Sequence, residues 1–146
     1  MGDDRLDKAA VLRRADAAWE KWSEYVANEA DAGRVAVRGA DGWTLPEALA
    51  HVARWHVWGV GRIGQVLAGA APEPLDVDGI NERWMDEDRE IGYEDAWGRQ
   101  QAAWQRLRGA VEAVPDQRWN HLLTEIVKAN TWEHYDEHMG WRPGAA

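Results

Sequence analysis

The chain has 146 residues, which is the size of one domain, and we predict a single domain over residues 1–146. Seventeen basic against twenty-six acidic residues leave a formal charge of −9, which argues against nucleic acid as a partner because phosphates need a concentrated basic surface. The absence of cysteine excludes disulfides and thiolate chemistry. No apolar run is long enough to span a membrane, and residues 1–5 are not followed by the apolar run of a secretion signal. We therefore expect a cytoplasmic protein that does not contact a membrane.

The first predicted element is a one-sided helix. Its apolar residues recur at three- and four-residue steps, the period of an amphipathic helix, at Val11, Leu12, Ala15, Trp19, Trp22 and Val26. Gly33 is the predicted stop, and residues 34–42 are predicted to form a loop.

The second helix has a defined start. Thr44 followed by Glu47 is a capping box, in which the hydroxyl accepts a hydrogen bond from the third amide of the helix and the carboxylate reaches back. Within this helix Gly59, Gly61 and Gly64 each cost about 1 kcal/mol relative to alanine. We therefore expect a neighbouring helix or bulky indoles to approach closely there.

Two further long helices follow a break at Pro72 and Pro74. Asp78 is the predicted cap of a short helix through Ile80, Asn81 and Trp84. A third long helix ends at Pro115 and carries an apolar face of Tyr93, Trp97, Trp104, Leu107, Val111 and Val114; a fourth runs from about Leu122 to Met139. The pattern predicts an all-α four-helix bundle with a longer crossover, containing the short helix, between helices two and three.

The fourth helix carries a pair of histidines. At about 100° per residue, His134 and His138 lie about 40° apart on one helix face. That face is shared with Leu123, Val127, Asn130 and Trp141, so the pair is predicted to point inward. Two imidazoles one turn apart can share a metal ion, although this spacing alone is a weak signal and ordinary core or surface histidines are the simpler interpretation.

A third imidazole from the second helix would complete a ligand set. His51 and His56 flank its apolar stripe on opposite sides, and helical geometry does not choose between them; His121 is expected to be solvated. Three neutral imidazoles leave one position of a zinc-like ion open for water or substrate, as in catalytic sites. Nickel or another first-row ion would fit the same donors.

Eleven tryptophans and no phenylalanine set this composition apart. Each indole is large and carries one N–H that needs a partner when buried, so eleven are hard to pack in so small a core. The simpler interpretation is a tryptophan-rich core with several half-exposed rings. The alternative is a pocket for a flat or greasy ligand, and the indoles expected to contact a substrate are Trp55, Trp58, Trp84, Trp97 and Trp104.

Three segments resemble one protein family. Residues 42–55, GWTLPEALAHVARW, are similar to the helix-two signature of the DinB/YfiT-like four-helix bundles, in which a glycine-tryptophan-serine/threonine start leads to LAHLAxW. Residues 76–83, DVDGINER, resemble the DVDxxN segment of the ClbS/DfsB-like branch, and residues 130–138, NTWEHYDEH, resemble its NTxxHYxEH. The motifs stand in the expected order and span most of the chain between Gly42 and His138.

The resemblance implies an up-down-down-up bundle, often a homodimer, with a metal triad of one histidine from helix two and two from helix four. Carried over by position, the triad is His51, His134 and His138, which favours His51 over His56. Activities known in the family include thiol-dependent transferases and isomerases, such as mycothiol-dependent maleylpyruvate isomerase. They also include a hydrolase that opens a reactive cyclopropane on a genotoxic natural product.

These observations lead us to expect a metal-dependent enzyme, with zinc or nickel, that hydrolyses a small reactive molecule or conjugates it to a low-molecular-weight thiol such as mycothiol. Residues expected to orient substrate or stabilise charge are Tyr135, Asn81, Asn130, Gln100 and Gln101, although interhelical hydrogen bonding is the simpler role for the two glutamines. Glu47 is explained by its cap, and Glu133 and Glu137 are expected to be solvated. The alternatives are a metal-free protein that sequesters an aromatic ligand between the indoles, and an interaction module whose tryptophan faces dimerise.

Overall fold

A computed structural model describes residues 6–71 and 74–142. These residues form α-helices and one short 3-10 turn without a strand, so the described part of the protein is all-α, as predicted. The helices are α1 (Lys8–Asp31), α2 (Leu45–Leu67), α3 (Val77–Asp88), α4 (Tyr93–Glu112), α5 (His121–Asn130) and α6 (Trp132–Trp141). Residues 1–5, on which the expectation of a cytoplasmic protein partly rests, and Pro72 lie outside the described ranges. Within those ranges, no helix has both the length and the apolar character needed to cross a bilayer.

Helix α1 ends just before Gly33, the predicted stop, and its start is defined by a cap that was not predicted from the sequence. The side chain of Asp7 accepts a hydrogen bond from the amide of Ala10 at 2.8 Å, which satisfies one of the free donors of the first turn. The chain leaves the helix at Gly33, whose φ of 71° is one that L side chains rarely adopt. The buried side chains of this helix include four of the predicted apolar face: Val11, Ala15, Trp22 and Val26.

The predicted capping box at the start of α2 is confirmed. The amide of Glu47 donates to Oγ1 of Thr44, and the amide of Thr44 donates to Oε1 of Glu47 at 3.0 Å. The other oxygen of the Glu47 carboxylate accepts the amide of Glu90 at 3.2 Å. Burial raises the pKa of Glu47, but these amides and Arg38 outweigh it, so the pKa is lowered overall. The cap therefore also fastens the connection before α4 to the start of α2.

The expected close approach at the α2 glycines occurs at one of the three. A Cβ on Gly59 would lie 3.3 Å from Nδ2 of Asn130 and 3.5 Å from Cδ1 of Leu107, so α4 and α5 both crowd this position. Added Cβ atoms on Gly61 and Gly64 would meet nothing within 4 Å. Close packing thus explains Gly59, and nothing in the structure explains the other two.

Two predicted helix boundaries are wrong. The cap of α3 is Asp76, whose side chain accepts the amide of Gly79, and Asp78 lies inside the first turn. The fourth helix is interrupted at Thr131, with φ −122° and ψ −96°, so that α5 and α6 replace one continuous helix. The buried Thr131 hydroxyl donates to the carbonyl of Val127 at 2.8 Å, which is the local bond by which threonine bends helices.

Two apolar clusters form the core. One is centred on Val11, Leu107, Leu123 and Val127, and the other on Trp22, Leu45, Leu49, Val52 and Tyr135. The second cluster brings the early turns of α2 against α6, because Leu49 and Val52 come from the former and Tyr135 from the latter. The histidines of interest lie at this end of the molecule.

Candidate metal centre

Three histidines converge where α2 meets α6. One ring nitrogen from each of His51, His134 and His138 lies within 4.8 Å of the others, and the rings of His51 and His138 have centroids 5.3 Å apart. The Nε2 atoms of His134 and His138 are 3.1 Å apart. This is the set of residues that the family resemblance implies. Among the histidine and carboxylate side chains of the described residues, these three form the group whose ligand atoms lie close enough together to hold an ion.

The charge state of these imidazoles suits metal binding. Burial, and next the proximity of His138, lower the pKa of His51 to about 3. Burial also lowers the pKa of His134 well below its ordinary value, and the neighbouring histidines add to the effect. Both rings are therefore neutral at physiological pH, which is the form that ligates metals.

Asp41, in the loop before α2, faces the third imidazole. Its Oδ2 lies 3.6 Å from Nδ1 of His138, a buried atom with no hydrogen-bond partner in the described residues, and its Oδ1 accepts the amide of Trp43 at 3.0 Å. Burial raises the pKa of Asp41, but the facing His138 and the Trp43 amide lower it more. A proton on Nδ1 of His138, facing this carboxylate, leaves the Nε2 lone pair directed toward His134. Carboxylates orient metal-binding histidines in this way.

The donor set fits a divalent first-row ion. A tetrahedral ion with nitrogen ligands at 2.0–2.1 Å holds those nitrogens about 3.4 Å apart, and the His134–His138 pair is close to that spacing. Three imidazoles, a carboxylate behind one of them, and an adjoining cavity match the composition of catalytic rather than structural zinc sites.

The cavity beside the histidines has a volume of about 460 Å³, in the range of small-molecule sites. Its indole walls are Trp43, Trp55, Trp58 and Trp141. The ring of Trp43 packs on both His51 and His138, with centroid distances of 4.5 and 5.8 Å. Trp43 thereby packs against two of the three histidines at the edge of the cavity.

Two asparagines add complementary polar groups to this cavity. Asn81 accepts the indole N–H of Trp55 at 2.8 Å, and because an indole nitrogen only donates, this fixes the Asn81 oxygen and leaves its amide NH₂ to donate elsewhere. Asn130 donates its NH₂ to the carbonyl of Ile126 at 2.7 Å, which leaves its side-chain oxygen as an acceptor. Glu137, expected to be solvated, is exposed but also lines the cavity.

The structure does not bring Tyr135 to this cavity. Its side chain is fully buried, stacks on Trp22 with a centroid distance of 5.3 Å, and lies 2.8 Å through its hydroxyl from Nε2 of His56. Burial raises the pKa of Tyr135 well above its ordinary value and lowers that of His56 to about 3. The two side chains form a neutral buried pair in the core. His56, the alternative metal ligand on periodicity, does not join the triad.

The two glutamines of α4 also lie away from the histidines. Gln101, predicted as catalytic, is exposed, and it does not line the cavity. Gln100 is fully buried and accepts the indole N–H of Trp22 at 2.8 Å. Interhelical hydrogen bonding, the simpler role, thus accounts for Gln100.

The five predicted substrate-contacting indoles divide into two groups. Trp55 packs edge to face against Trp58 and Trp84, with centroid distances of 5.3 and 4.9 Å, and Trp55 and Trp58 line the histidine cavity. Trp97 and Trp104 instead both stack on Trp19, with centroid distances of 5.5 and 5.2 Å. Their role is packing between α1 and α4, since Trp19 belongs to α1. The sequence could not predict this, because no helix pattern specifies which partner an apolar face will meet.

Asp41, Trp43 and Trp141 are the site residues that sequence reasoning missed as functional. A signal for the first two was present, because they directly precede the capping box and so must lie at the end of α2 where His51 stands two turns in. For Trp141 the sequence indicates only that it lies on the helix face that carries the histidines.

No protein-family model, curated protein or solved structure matches the chain at a significant level.

Proposed function

We propose that the protein is a metal-dependent enzyme of the DinB/YfiT-like superfamily that acts on a small, reactive organic molecule by hydrolysis or by adding a low-molecular-weight thiol such as mycothiol. The observation that carries the proposal is the convergence of His51, His134 and His138 beside an indole-walled cavity. Zinc or nickel are the ions this set suits, and a bound ion supplies Lewis acidity toward the substrate or its nucleophile.

The proposed architecture is the up-down-down-up four-helix bundle, with α5 and α6 together as the fourth helix and α3 in the crossover. Helices α1 and α4 are in contact through Asp16 with Arg108 and through Trp22 with Gln100. The residue number falls along α4 as it rises along α1, which supports antiparallel directions. Between α1 and α6, Trp22 stacks on Tyr135, and further along both segments Glu29 binds Arg142, just after α6. The residue numbers rise together along the two helices, which supports parallel directions.

The two middle helices fit the same arrangement. Arg54 and Arg99 both bind Asp88, and five to eight residues later Gly59 lies beside Leu107, which supports parallel α2 and α4. His56 of α2 is hydrogen-bonded to Tyr135, and Gly59, three residues later in α2, lies beside Asn130, five residues earlier than Tyr135. This order supports antiparallel directions of α2 and α5–α6.

The chain's own side chains give the cavity a defined polarity. The free NH₂ of Asn81 can donate to a developing negative charge, the free oxygen of Asn130 can accept from a hydroxyl or amine, and Glu137 can take up a proton at the mouth. Trp55 and Trp58 provide flat apolar contact. This combination suits a compact molecule with one polar, electrophilic end. Tyr135 and Gln101 have no part in the proposed mechanism.

A homodimer belongs to the proposal through the family resemblance alone, and a location in the cytoplasm is proposed from the sequence alone. Trp141, 42 % exposed, is a candidate interface anchor. Sedimentation of the wild type and Trp141→Ser tests it, and a monomeric wild type would remove the dimer from the proposal.

The second candidate function is metal-free sequestration of an aromatic ligand. The observation in its favour is the packing of Trp58 and Trp84 against Trp55 next to the cavity. It requires ligand binding that is independent of metal.

Metal content separates these candidates. We expect the zinc- or nickel-replete wild type to retain one equivalent after desalting at neutral pH, as measured by plasma mass spectrometry, and His134→Ala to retain none. His121→Ala is the matched control, because this exposed histidine at the start of α5 does not belong to the triad. Loss of metal in His134→Ala with retention in His121→Ala supports the enzyme. A metal-free wild type whose tryptophan fluorescence is quenched by aromatic compounds would support sequestration instead.

A further inference from the structure

A second cavity lies between α2 and α4 and does not include the histidines. Its volume is about 490 Å³, and its lining includes four small side chains, Ala50 and Ala53 from α2 and Ala102 and Ala103 from α4. Val57, two indoles and three arginines complete its lining. We call this cavity the arginine groove. Its volume is in the range of small-molecule sites.

The positive charge of the groove is balanced at one end only. Arg54 binds the Asp88 carboxylate through two hydrogen bonds of 2.7 and 2.9 Å, and Arg99 reaches the same carboxylate at 3.4 Å. Glu87 adds a further contact to Arg54 at 2.8 Å. Arg106 lies seven residues after Arg99 and therefore on the same face of α4. No carboxylate of the described residues pairs with it, although the chain carries a net charge of −9.

The aromatic side of the groove is rigid. Trp84 packs edge to face on Trp55 with a centroid distance of 4.9 Å, and the guanidinium of Arg54, itself tied to Asp88, lies 5.7 Å from the Trp84 ring centroid. Trp58 lines both the arginine groove and the histidine cavity, so the two cavities adjoin. A flat ring in the groove would meet indole surfaces that are already held in place.

We propose that the arginine groove binds a small, flat organic anion of the aromatic carboxylate class, with its ring against Trp58 and Trp84 and its carboxylate at Arg106. Charge complementarity selects the anion, since an unpaired guanidinium forms paired hydrogen bonds with a carboxylate. A second copy of the chain is disfavoured, because stable interfaces bury roughly 1,200–2,000 Å². Of the large apolar side chains that are exposed among the described residues, only Val57, at 40 %, lines the groove. The site is independent of a metal at the histidines.

Calorimetric titration of the full chain with 2-naphthoate and with the uncharged 2-naphthol tests the proposal. We expect one molecule of 2-naphthoate per chain and at least tenfold tighter binding than that of 2-naphthol. Arg106→Gln should weaken 2-naphthoate binding at least tenfold and remove most of the difference between the two probes. Arg83→Gln is the matched control, because Arg83 is exposed, precedes Trp84 directly and does not line the groove; it should change the affinity less than twofold.

A second variant guards against a loss of folding in the first. Ala102 is exposed on the groove side of α4, and Ala102→Glu puts a negative charge beside the proposed carboxylate while keeping a good helix former. It should abolish 2-naphthoate binding with an unchanged circular dichroism spectrum. His134→Ala, which removes a triad residue, should bind 2-naphthoate within twofold of the wild type. A failure of the metal proposal would therefore leave this result intact.

Three results would overturn the proposal. Equal affinity for 2-naphthoate and 2-naphthol would remove the role of charge. Loss of binding in His134→Ala with retention in Ala102→Glu would place the ligand in the histidine cavity. Self-association in sedimentation that Ala102→Glu abolishes, without 2-naphthoate binding, would assign the groove to a second copy of the chain.

Discussion

His51 and His56 are five residues apart on α2, and their surroundings give them different chemistry. His51 meets two other imidazoles and lines the cavity, whereas His56 is fully buried against the Tyr135 hydroxyl. Burial lowers the pKa of both to about 3. A lowered pKa therefore does not by itself mark the functional histidine, and the convergence of ring nitrogens does.

Asp41 provides a test of the triad at the scale of one residue. Asp41→Asn should weaken zinc binding at least tenfold, because the carboxylate that faces Nδ1 of His138 is lost, and such groups are worth about 10–100-fold in metal affinity. The amide oxygen of asparagine can still accept the Trp43 amide, so the loop should persist. Competition with a chromophoric chelator measures the affinity.

The control for this change is Glu133→Gln. Glu133 is an exposed carboxylate next to His134 in sequence, and it does not line the cavity. It should leave the zinc affinity unchanged. Equal zinc affinity of Asp41→Asn and the wild type would show that Asp41 does not orient His138.

At this scale the sequence predicts pairs within one helix better than contacts between helices. The spacing of His134 and His138 follows from 3.6 residues per turn, and their nitrogens do meet. Periodicity alone left His51 and His56 equivalent, and the family motif was needed to favour His51. The position of Tyr135 could not be predicted in the same way, because its hydroxyl is taken by a residue from another helix.

At the scale of elements, the glycines of α2 separate helix propensity from packing. Gly61→Ala and Gly64→Ala should each raise the free energy of unfolding by about 0.5–1 kcal/mol, since alanine is the better helix former and no neighbour lies within 4 Å of the new Cβ. Gly59→Ala should raise the free energy of unfolding by less than this, or lower it, because the new Cβ would lie 3.3 Å from Nδ2 of Asn130. Urea unfolding of the three variants measures the difference. Equal stabilisation by all three would contradict the close packing of α2 on α5.

The start of α2 was predictable because two reciprocal local hydrogen bonds define it, whereas the single cap bond at the start of α3 comes from Asp76 rather than from the predicted Asp78. The Thr44–Glu47 capping box at the start of α2 is confirmed. The interruption of the fourth helix at Thr131 was not predicted, because threonine also occurs within continuous helices and only its bond to the Val127 carbonyl and its unusual dihedral angles reveal the bend. The interruption lies between Asn130 and His134, two residues of the cavity.

At the scale of the whole molecule, acid should destabilise the metal-free protein. The pKa of His56 is about 3 in the folded state, because of burial, and about 6.5 when unfolded. Between these values the unfolded state binds more protons, so stability falls as pH decreases below 6.5, by up to about 1.4 kcal/mol per pH unit for this group. Tyr135 and His134 are the titratable groups near it, and His134 acts in the same direction.

His56→Gln isolates this contribution. In chelator-treated protein, the free energy of unfolding of the wild type should fall more steeply between pH 6 and 4 than that of the variant. The difference in slope should correspond to the uptake of about one additional proton per molecule on unfolding. Denaturant titrations at several pH values measure both slopes. Parallel curves would contradict a neutral, buried His56.

The all-α class was predictable because each helix carries a sustained apolar face. The pairing of those faces was not, and the indoles show the reason: Trp97 and Trp104 lie on the predicted face of α4, yet they stack on Trp19 rather than meet Trp55 and Trp58. Apolar faces are interchangeable in sequence, and only the packed structure assigns their partners.

X-ray absorption spectroscopy of the zinc-loaded protein tests the central claim most directly. We predict a zinc edge and fine structure fitted by three imidazole nitrogens at about 2.0–2.1 Å, and we expect this three-imidazole shell to be lost in His51→Ala. A shell with fewer than three imidazoles in the wild type, or one that His51→Ala leaves unchanged, would contradict a metal centre built from His51, His134 and His138.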